Sequence, residues 1–73
     1  MKKMVNEVMN AAKAAGYTVK EIQGYKTSVV MRRNEECLVL DIAPYDTAMS
    51  VIEKLHNTAM DIYYSLVDMY SVA

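Results

Sequence analysis

The spacing of apolar residues predicts a helix at the start of the chain. Between residues 2 and 15 the apolar side chains share one side of a helical wheel: Met4, Val5, Val8, Met9, Ala11, Ala12 and Ala15. Gly16 follows, and glycine is the residue type that most often ends a helix in the left-handed conformation. We therefore predict that the first helix ends just before Gly16.

Three short segments with strand-like alternation follow this helix. Residues 17–23 and 25–33 flank a turn at Gly24, and the second segment places four residues on one face: Tyr25, Thr27, Val29 and Met31. A tight turn at Asn34-Glu35 leads into residues 37–42, in which the core-facing positions are Leu38, Leu40 and Ile42. Pro44 ends the third strand, and Asp46 or Thr47 is the predicted N-cap of the next helix.

The last helical region is too long and too apolar for one contact with the sheet. About 25 helical residues between 46 and 72 span ~37 Å, whereas strands of this length span ~20–23 Å. If the helix is continuous, its overhang carries apolar residues to a second copy or to another protein: Tyr63, Tyr64, Leu66, Val67, Met69 and Tyr70. If it breaks near residues 56–58, the last segment folds back and the tyrosines become core. The sequence leaves both outcomes open.

These elements predict a single α+β domain over residues 1–73 with the order α-β-β-β-α. Both helices cover one face of a three-stranded antiparallel sheet, and a break near residue 57 is the alternative to a continuous C-terminal helix. The expected core joins sheet to helix through Val29, Leu38, Leu40, Ile42 and Leu55. The other face of the sheet is expected to be exposed, with Lys26, Ser28, Val30, Arg32, Cys37, Val39 and Asp41.

Composition narrows the class of protein. Hydrophobic residues make up 53% and charged residues 23%, which is typical of a globular chain. No apolar run reaches the ~20 residues that span a bilayer, and Asn6, Glu7 and Asn10 interrupt any signal-peptide core. A single cysteine, Cys37, fits a reducing compartment. We predict a cytoplasmic protein that does not enter a membrane.

Charge is distributed unevenly along the chain. Residues 1–34 carry seven Lys or Arg against Glu7 and Glu21, for a net charge of +5, and residues 35–73 carry seven acids against Lys54, for −6. This asymmetry predicts a charge dipole, and the simplest expectation is that the two halves attract each other on folding.

The residues that could perform chemistry do not form a recognisable active site. The segment from Glu53 to His56 has the Glu-x-x-His spacing of di-iron bundles, but those need carboxylates from several helices and the first helix offers only Glu7. We expect His56 to be packed and partly buried. Cys37 follows two glutamates that disfavour its thiolate, and no second histidine is present to act as its base. We therefore predict no catalysis, cofactor or metal.

The order α-β-β-β-α is that of the double-stranded-RNA-binding domain, which uses a lysine cluster at the start of its last helix. Here the polar face of that helix offers Asp46, Glu53, Asp61 and Asp68 against Lys54 alone. Direct nucleic-acid binding is therefore not expected, and the remaining bases for phosphate contact are those on the sheet: Lys20, Lys26, Arg32 and Arg33.

Two segments, "NEVMNAAKAAGYTVK" and "SVIEKLHNTA", resemble small phage-encoded anti-CRISPR proteins with an α-β-β-β-α-α fold. Those inhibitors present acidic residues where DNA would bind to an RNA-guided nuclease. The resemblance implies phosphate-mimic roles for Glu35, Glu36, Asp61 and Asp68. In contrast to those strongly acidic proteins, this chain has a net charge of only −1.

The sequence therefore favours a small, non-enzymatic protein-interaction module, specifically a phage or mobile-element protein that inhibits or modulates a host protein. Its predicted interface is on the C-terminal helix, with Tyr63, Tyr64, Val67, Met69 and Tyr70. The partner is either another protein or a second copy. The alternatives are a nucleic-acid-binding domain and a small homodimeric structural protein.

Overall fold

A computed structural model describes residues 2–70 of the chain. The elements are α1 (Lys2–Ala14), β1 (Thr18–Gln23), β2 (Thr27–Arg33), β3 (Glu36–Ile42), α2 (Ala48–Leu55) and α3 (Met60–Tyr70). The strands form one antiparallel sheet in the order β1-β2-β3. The predicted α+β fold is confirmed, with two helices after the sheet. The end of the predicted C-terminal helix, beyond residue 70, lies outside the described residues.

Helix α1 ends as its sequence predicts. Gly16 has a φ of 95°, in the left-handed region that favours glycine. The amide of Gly16 donates to the carbonyl of Lys13 at 3.0 Å, and that of Tyr17 donates to Ala12 at 2.9 Å. These two bonds form a Schellman motif, which satisfies the last carbonyls of the helix and turns Tyr17 into the core.

The sheet buries alternate residues of β2 and β3 beneath the helices. Val29 lies opposite Leu40, Met31 lies opposite Leu38, and of these four only Leu38 remains partly accessible. The predicted strand phase is therefore confirmed. Tyr25 is an exception to the prediction, because β2 begins only at Thr27 and Tyr25 lies in the preceding turn with 77% of its surface exposed.

The opposite face of the sheet carries no helix in the described part of the chain. Its side chains alternate with the buried ones, and the apolar residues Val39 and Ile22 are 62% and 49% exposed. An antiparallel sheet tolerates such a solvated face, as the alternation in β3 predicted.

Helix α2 begins with a capping box. The side chain of Thr47 accepts a hydrogen bond from the Ser50 amide at 3.2 Å, and the Ser50 hydroxyl accepts one from the Thr47 amide at 2.9 Å. Thr47 is thus the N-cap. Asp46, the other predicted cap, instead holds the loop before the helix, since it accepts from the Ala43 amide at 2.7 Å and from Lys54 Nζ at 2.8 Å.

The predicted break near residue 57 is present. Helix α2 ends at Leu55, Asn57 takes a left-handed φ of 66°, and α3 starts at Met60. Helix α3 packs against α1 and α2 and buries Ile62 and Leu66. The expectation that a broken helix makes the tyrosines core holds only for Tyr63, which is half-buried and packs against the core. Tyr64 and Tyr70 are 62% and 38% exposed, because Ile62 and Leu66 fill the buried positions of α3.

Candidate functional site

An apolar groove lies between α2 and α3, and we call it the α2–α3 groove. Its volume is about 290 Å³, and its lining is mainly apolar and aromatic: Met49, Ile52, Glu53, Tyr63, Val67 and Tyr70. Three of the five predicted interface residues, Tyr63, Val67 and Tyr70, therefore line one concave surface. The other two, Tyr64 and Met69, are 62% and 46% exposed and lie outside this lining.

Helical spacing explains how the groove forms. Tyr63, Val67 and Tyr70 are separated by four and three residues, so they share one shoulder of α3 while Ile62 and Leu66 face the core. On α2, Met49 and Glu53 are also four residues apart. The turn at residues 56–59 sets these two shoulders side by side. Sequence reasoning missed the contribution of α2, although Met49 is one of the apolar residues in the predicted C-terminal helical region.

Aromatic contacts orient Tyr63 at one end of the groove. The His56 ring meets the Tyr63 ring edge-on, with centroids 4.9 Å apart and an interplanar angle of 67°. Tyr63 in turn meets Tyr64 at 5.3 Å and 74°. His56 itself is exposed, contrary to the expected partial burial, because it is the C-cap that follows the last residue of α2.

Tyr70 connects the other end of the groove to α1. Its hydroxyl lies 3.3 Å from Met4 Sδ and also donates a hydrogen bond to the Glu7 carboxylate. The Tyr70 side chain is still 38% exposed. The groove thus has an oriented aromatic ring at each end, and both rings remain accessible.

The four predicted phosphate mimics do not form one free acidic surface. Arg33 engages two of them: its Nη1 lies 3.0 Å from Asp61 Oδ2 and its Nη2 lies 3.1 Å from Glu36 Oε1. The bonds to Asp61 and Glu36 raise the pKa of Arg33. Glu35 and Asp68 are exposed. Arg33 therefore partly neutralises Glu36 and Asp61, which leaves them less available to mimic phosphate.

Arg33 is also the link between the basic and acidic halves of the chain. Among residues 2–70, it is the only base of the first half that forms an ion pair with an acid of the second half. The remaining ion pair, between Lys54 and Asp46, lies within the second half. Among the described residues, Arg33 therefore supplies all the ion pairs between the basic half and the acidic half of the chain.

The open face of the sheet holds a second depression, with a larger volume of about 420 Å³. Thr18, Lys20, Ile22, Val30 and Arg32 line it, together with Val19. Two of the four bases predicted for phosphate contact, Lys20 and Arg32, therefore lie together. Lys26 is in the turn before β2, and Arg33 is directed to α3. No aromatic ring is available in this lining to stack on a base.

The described residues contain no cluster suited to metal chemistry. Within residues 2–70, no three His, Cys, Asp or Glu side chains are placed to hold an ion together. Cys37 is exposed at the start of β3, opposite Arg32. Over the same residues, no helix has the length and apolar character needed to cross a bilayer.

Comparisons of the chain with protein-family models, with curated proteins and with solved structures find no match. The function is therefore inferred from the geometry of the chain itself.

Proposed function

We propose that this chain is a small cytoplasmic protein-interaction module, without catalytic activity, that binds another protein through the α2–α3 groove. The observation that supports this proposal is an accessible apolar groove that lies on the core, with buried Ile52 in its lining and with Met49 and Tyr70 exposed. Met49, on the rim, is 62% exposed, while Val51, Leu55, Ile62 and Leu66 are already buried beneath. Accessible apolar concavities of this kind mark interaction sites on small proteins.

The residue types in the groove suit recognition of a protein. Tyr and Met are enriched at the centres of protein interfaces, where a ring or a flexible thioether fills a partner's surface. Tyr63 and Tyr70 are held in place by contacts to His56 and Glu7, so little conformational entropy is lost when they are covered. The groove is therefore preorganised for binding.

The narrower hypothesis, a phage or mobile-element protein that inhibits an RNA-guided nuclease by mimicking nucleic acid, stays a prediction. It depends on Glu35, Glu36, Asp61 and Asp68, and Arg33 already engages two of these acids. The groove is therefore the better-supported surface. The nucleic-acid-binding alternative depends on Lys20 and Arg32 in the sheet depression, which lack a stacking partner in the lining.

A matched pair of tyrosine variants tests the proposal. The partner is first captured with tagged protein from an extract of cells that naturally make the chain, and its affinity is then measured by calorimetry with purified components. The variant with Tyr63→Ser and Tyr70→Ser removes the rings of the groove. The control with Tyr25→Ser and Tyr45→Ser removes two other exposed rings, 77% and 73% accessible, that lie outside it.

We expect the groove variant to lose partner binding by about tenfold or more, as interface tyrosines are common hot spots. The control should bind like the parent, and circular dichroism should show both variants folded. Equal affinity of all three folded proteins would show that the groove is not the binding surface. If light scattering instead shows that the parent and the control are dimers and the groove variant is a monomer, the groove binds a second copy.

A further inference from the structure

We infer that the partner segment for the α2–α3 groove is an amphipathic helix with Lys or Arg residues flanking its apolar stripe. This inference rests on the proposed function, because it specifies the chemistry of whatever occupies that groove. It follows from the charges around the groove, from its aromatic content and from its shape.

The charges near the groove are acidic. Glu53 lines it, and Glu7 bonds the Tyr70 hydroxyl at its end. Helix α3 has no Lys or Arg from Met60 to Tyr70. Its two acids, Asp61 and Asp68, are seven residues apart and share another face of the helix, where Arg33 pairs with Asp61. The one lysine of α2, Lys54, is engaged, with its Nζ 2.8 Å from both Asp46 Oδ2 and the Asp41 carbonyl oxygen. No basic side chain lines the groove.

The tyrosines add a second preference for cations. A tyrosine ring attracts a guanidinium or ammonium group over its face, and the chain uses this contact elsewhere, since Arg33 Cζ lies 4.2 Å from the centroid of Tyr17. Tyr63 and Tyr70 line the groove and Tyr64 lies beside it. Basic residues next to an apolar anchor would therefore meet both carboxylates and aromatic rings.

The shape of the groove favours a helix as the occupant. Its walls are two helices, and the ridge of Tyr63, Val67 and Tyr70 has the spacing into which side chains of a third helix interdigitate. Its volume, about 290 Å³, lies at the lower end of the range for small-molecule pockets. The groove therefore fits one or two anchor side chains from a larger surface.

The same charges argue against a second copy as the occupant. Packing the groove of one copy against the groove of another would bring the two Glu53 carboxylates close together, which like-charge repulsion disfavours. A partner with basic flanks avoids this cost and gains charge complementarity.

Two model peptides test the inference. One is a capped amphipathic helix of about 21 residues with a leucine stripe and lysines on the other positions, well above the ~12–15 residues below which an isolated helix is marginal in water. The other has the same leucines with glutamate in place of every lysine. Binding is followed by ¹H–¹⁵N NMR shifts of the full chain, which locate the site, at about 50 mM and about 300 mM salt.

We expect the lysine peptide to bind about tenfold or more tightly than the glutamate peptide, with the ratio falling at high salt. Its shifts should centre on Met49, Tyr63 and Val67. The variant with Glu53→Gln should weaken binding of the lysine peptide by about two- to fivefold, because Glu53 is the acid that lines the groove. The control with Glu35→Gln removes an exposed acid in the turn before β3 and should bind the peptide like the parent.

The outcomes separate this inference from the proposed function. If both peptides bind the groove equally, the basic partner is wrong while the groove remains a docking site. The inference also fails if the Glu35→Gln control loses as much affinity for the lysine peptide as the Glu53→Gln variant. It fails too if neither peptide shifts the NMR signals of the groove residues. In the last case the proposed function is judged by the tyrosine variants alone. If the parent self-associates through the groove and thereby prevents binding of the lysine peptide, the occupant of the groove is a second copy and not a basic helix.

Discussion

Arg33, the last residue of β2, reaches the first turn of α3 and places its Nη1 3.0 Å from Asp61 Oδ2. The same nitrogen donates to the Ala15 carbonyl at 2.9 Å, and the guanidinium lies over the ring of Tyr17. One side chain therefore joins the end of α1, the sheet and α3. These contacts tie the start of α3 to the end of α1 and to the sheet.

We predict that Arg33→Gln lowers the melting temperature more than Asp61→Asn does. The first substitution removes the ion pairs, the cation–π contact and the bond to Ala15, whereas the second removes one partner only. Thermal melts followed by circular dichroism at low and high salt measure both. Salt should reduce the effect of Asp61→Asn, and equal losses for the two variants would mean that the Asp61 pair accounts for the whole contribution of Arg33.

Leu40→Ala should destabilise the domain by about 2–5 kcal/mol, because Leu40 is 5% exposed and lies in the core opposite Val29. In a 73-residue chain that loss approaches the whole stability. Val39→Ala, one residue earlier and 62% exposed, is the control and should cost well under 1 kcal/mol. Urea unfolding measures both, and a larger loss at Val39 would contradict the observed strand phase.

Asn57 allows the chain to turn between α2 and α3, since its φ of 66° lies in the left-handed region. Asn57→Gly should be tolerated, whereas Asn57→Val should cost about 1–2 kcal/mol, because a β-branched residue is strained there. The comparison uses unfolding free energies from urea titration. If valine were tolerated as well as glycine, the break between the two helices would not depend on this backbone conformation.

Acid should remove the contribution that the Asp46 carboxylate makes to the stability of the folded domain. Bonds from Lys54, the Ala43 amide and Ser50 lower the pKa of Asp46 from 3.8 to about 2. Because the folded-state pKa is lower than the unfolded one, the contribution is complete above about pH 4 and is lost as the pH falls toward 2.

The control for this effect is Asp46→Asn, which cannot ionise. The parent should be the more stable protein at neutral pH, and the difference in melting temperature should shrink between pH 4 and pH 2. A difference that stays constant across this range would show that the charge of Asp46 contributes nothing to stability.

The sequence by itself determined the element order, the bounds of α1 and the strands to within one or two residues, and the faces that β2 and β3 bury. Gly16 ends α1, Thr47 is one of the two N-caps predicted for α2, and the alternation around Leu40 set the buried face of β3, because these signals act over one turn or one strand pair. All three strands begin one or two residues from the predicted position, at Thr18, Thr27 and Glu36. The largest shift, at Tyr25, lies where a turn and a strand compete for the same few residues.

Only the tertiary structure decided what became of the C-terminal helical region. Its apolar periodicity continues through the break, so a continuous helix and two packed helices were equally consistent with the pattern, and burial of Ile62 and Leu66 against the rest of the fold favours two. The groove likewise needs Met49 and Val67 from different helices, and Arg33 finds Asp61 at a separation of 28 residues. Local periodicity specifies elements, whereas contacts between distant residues depend on how those elements pack.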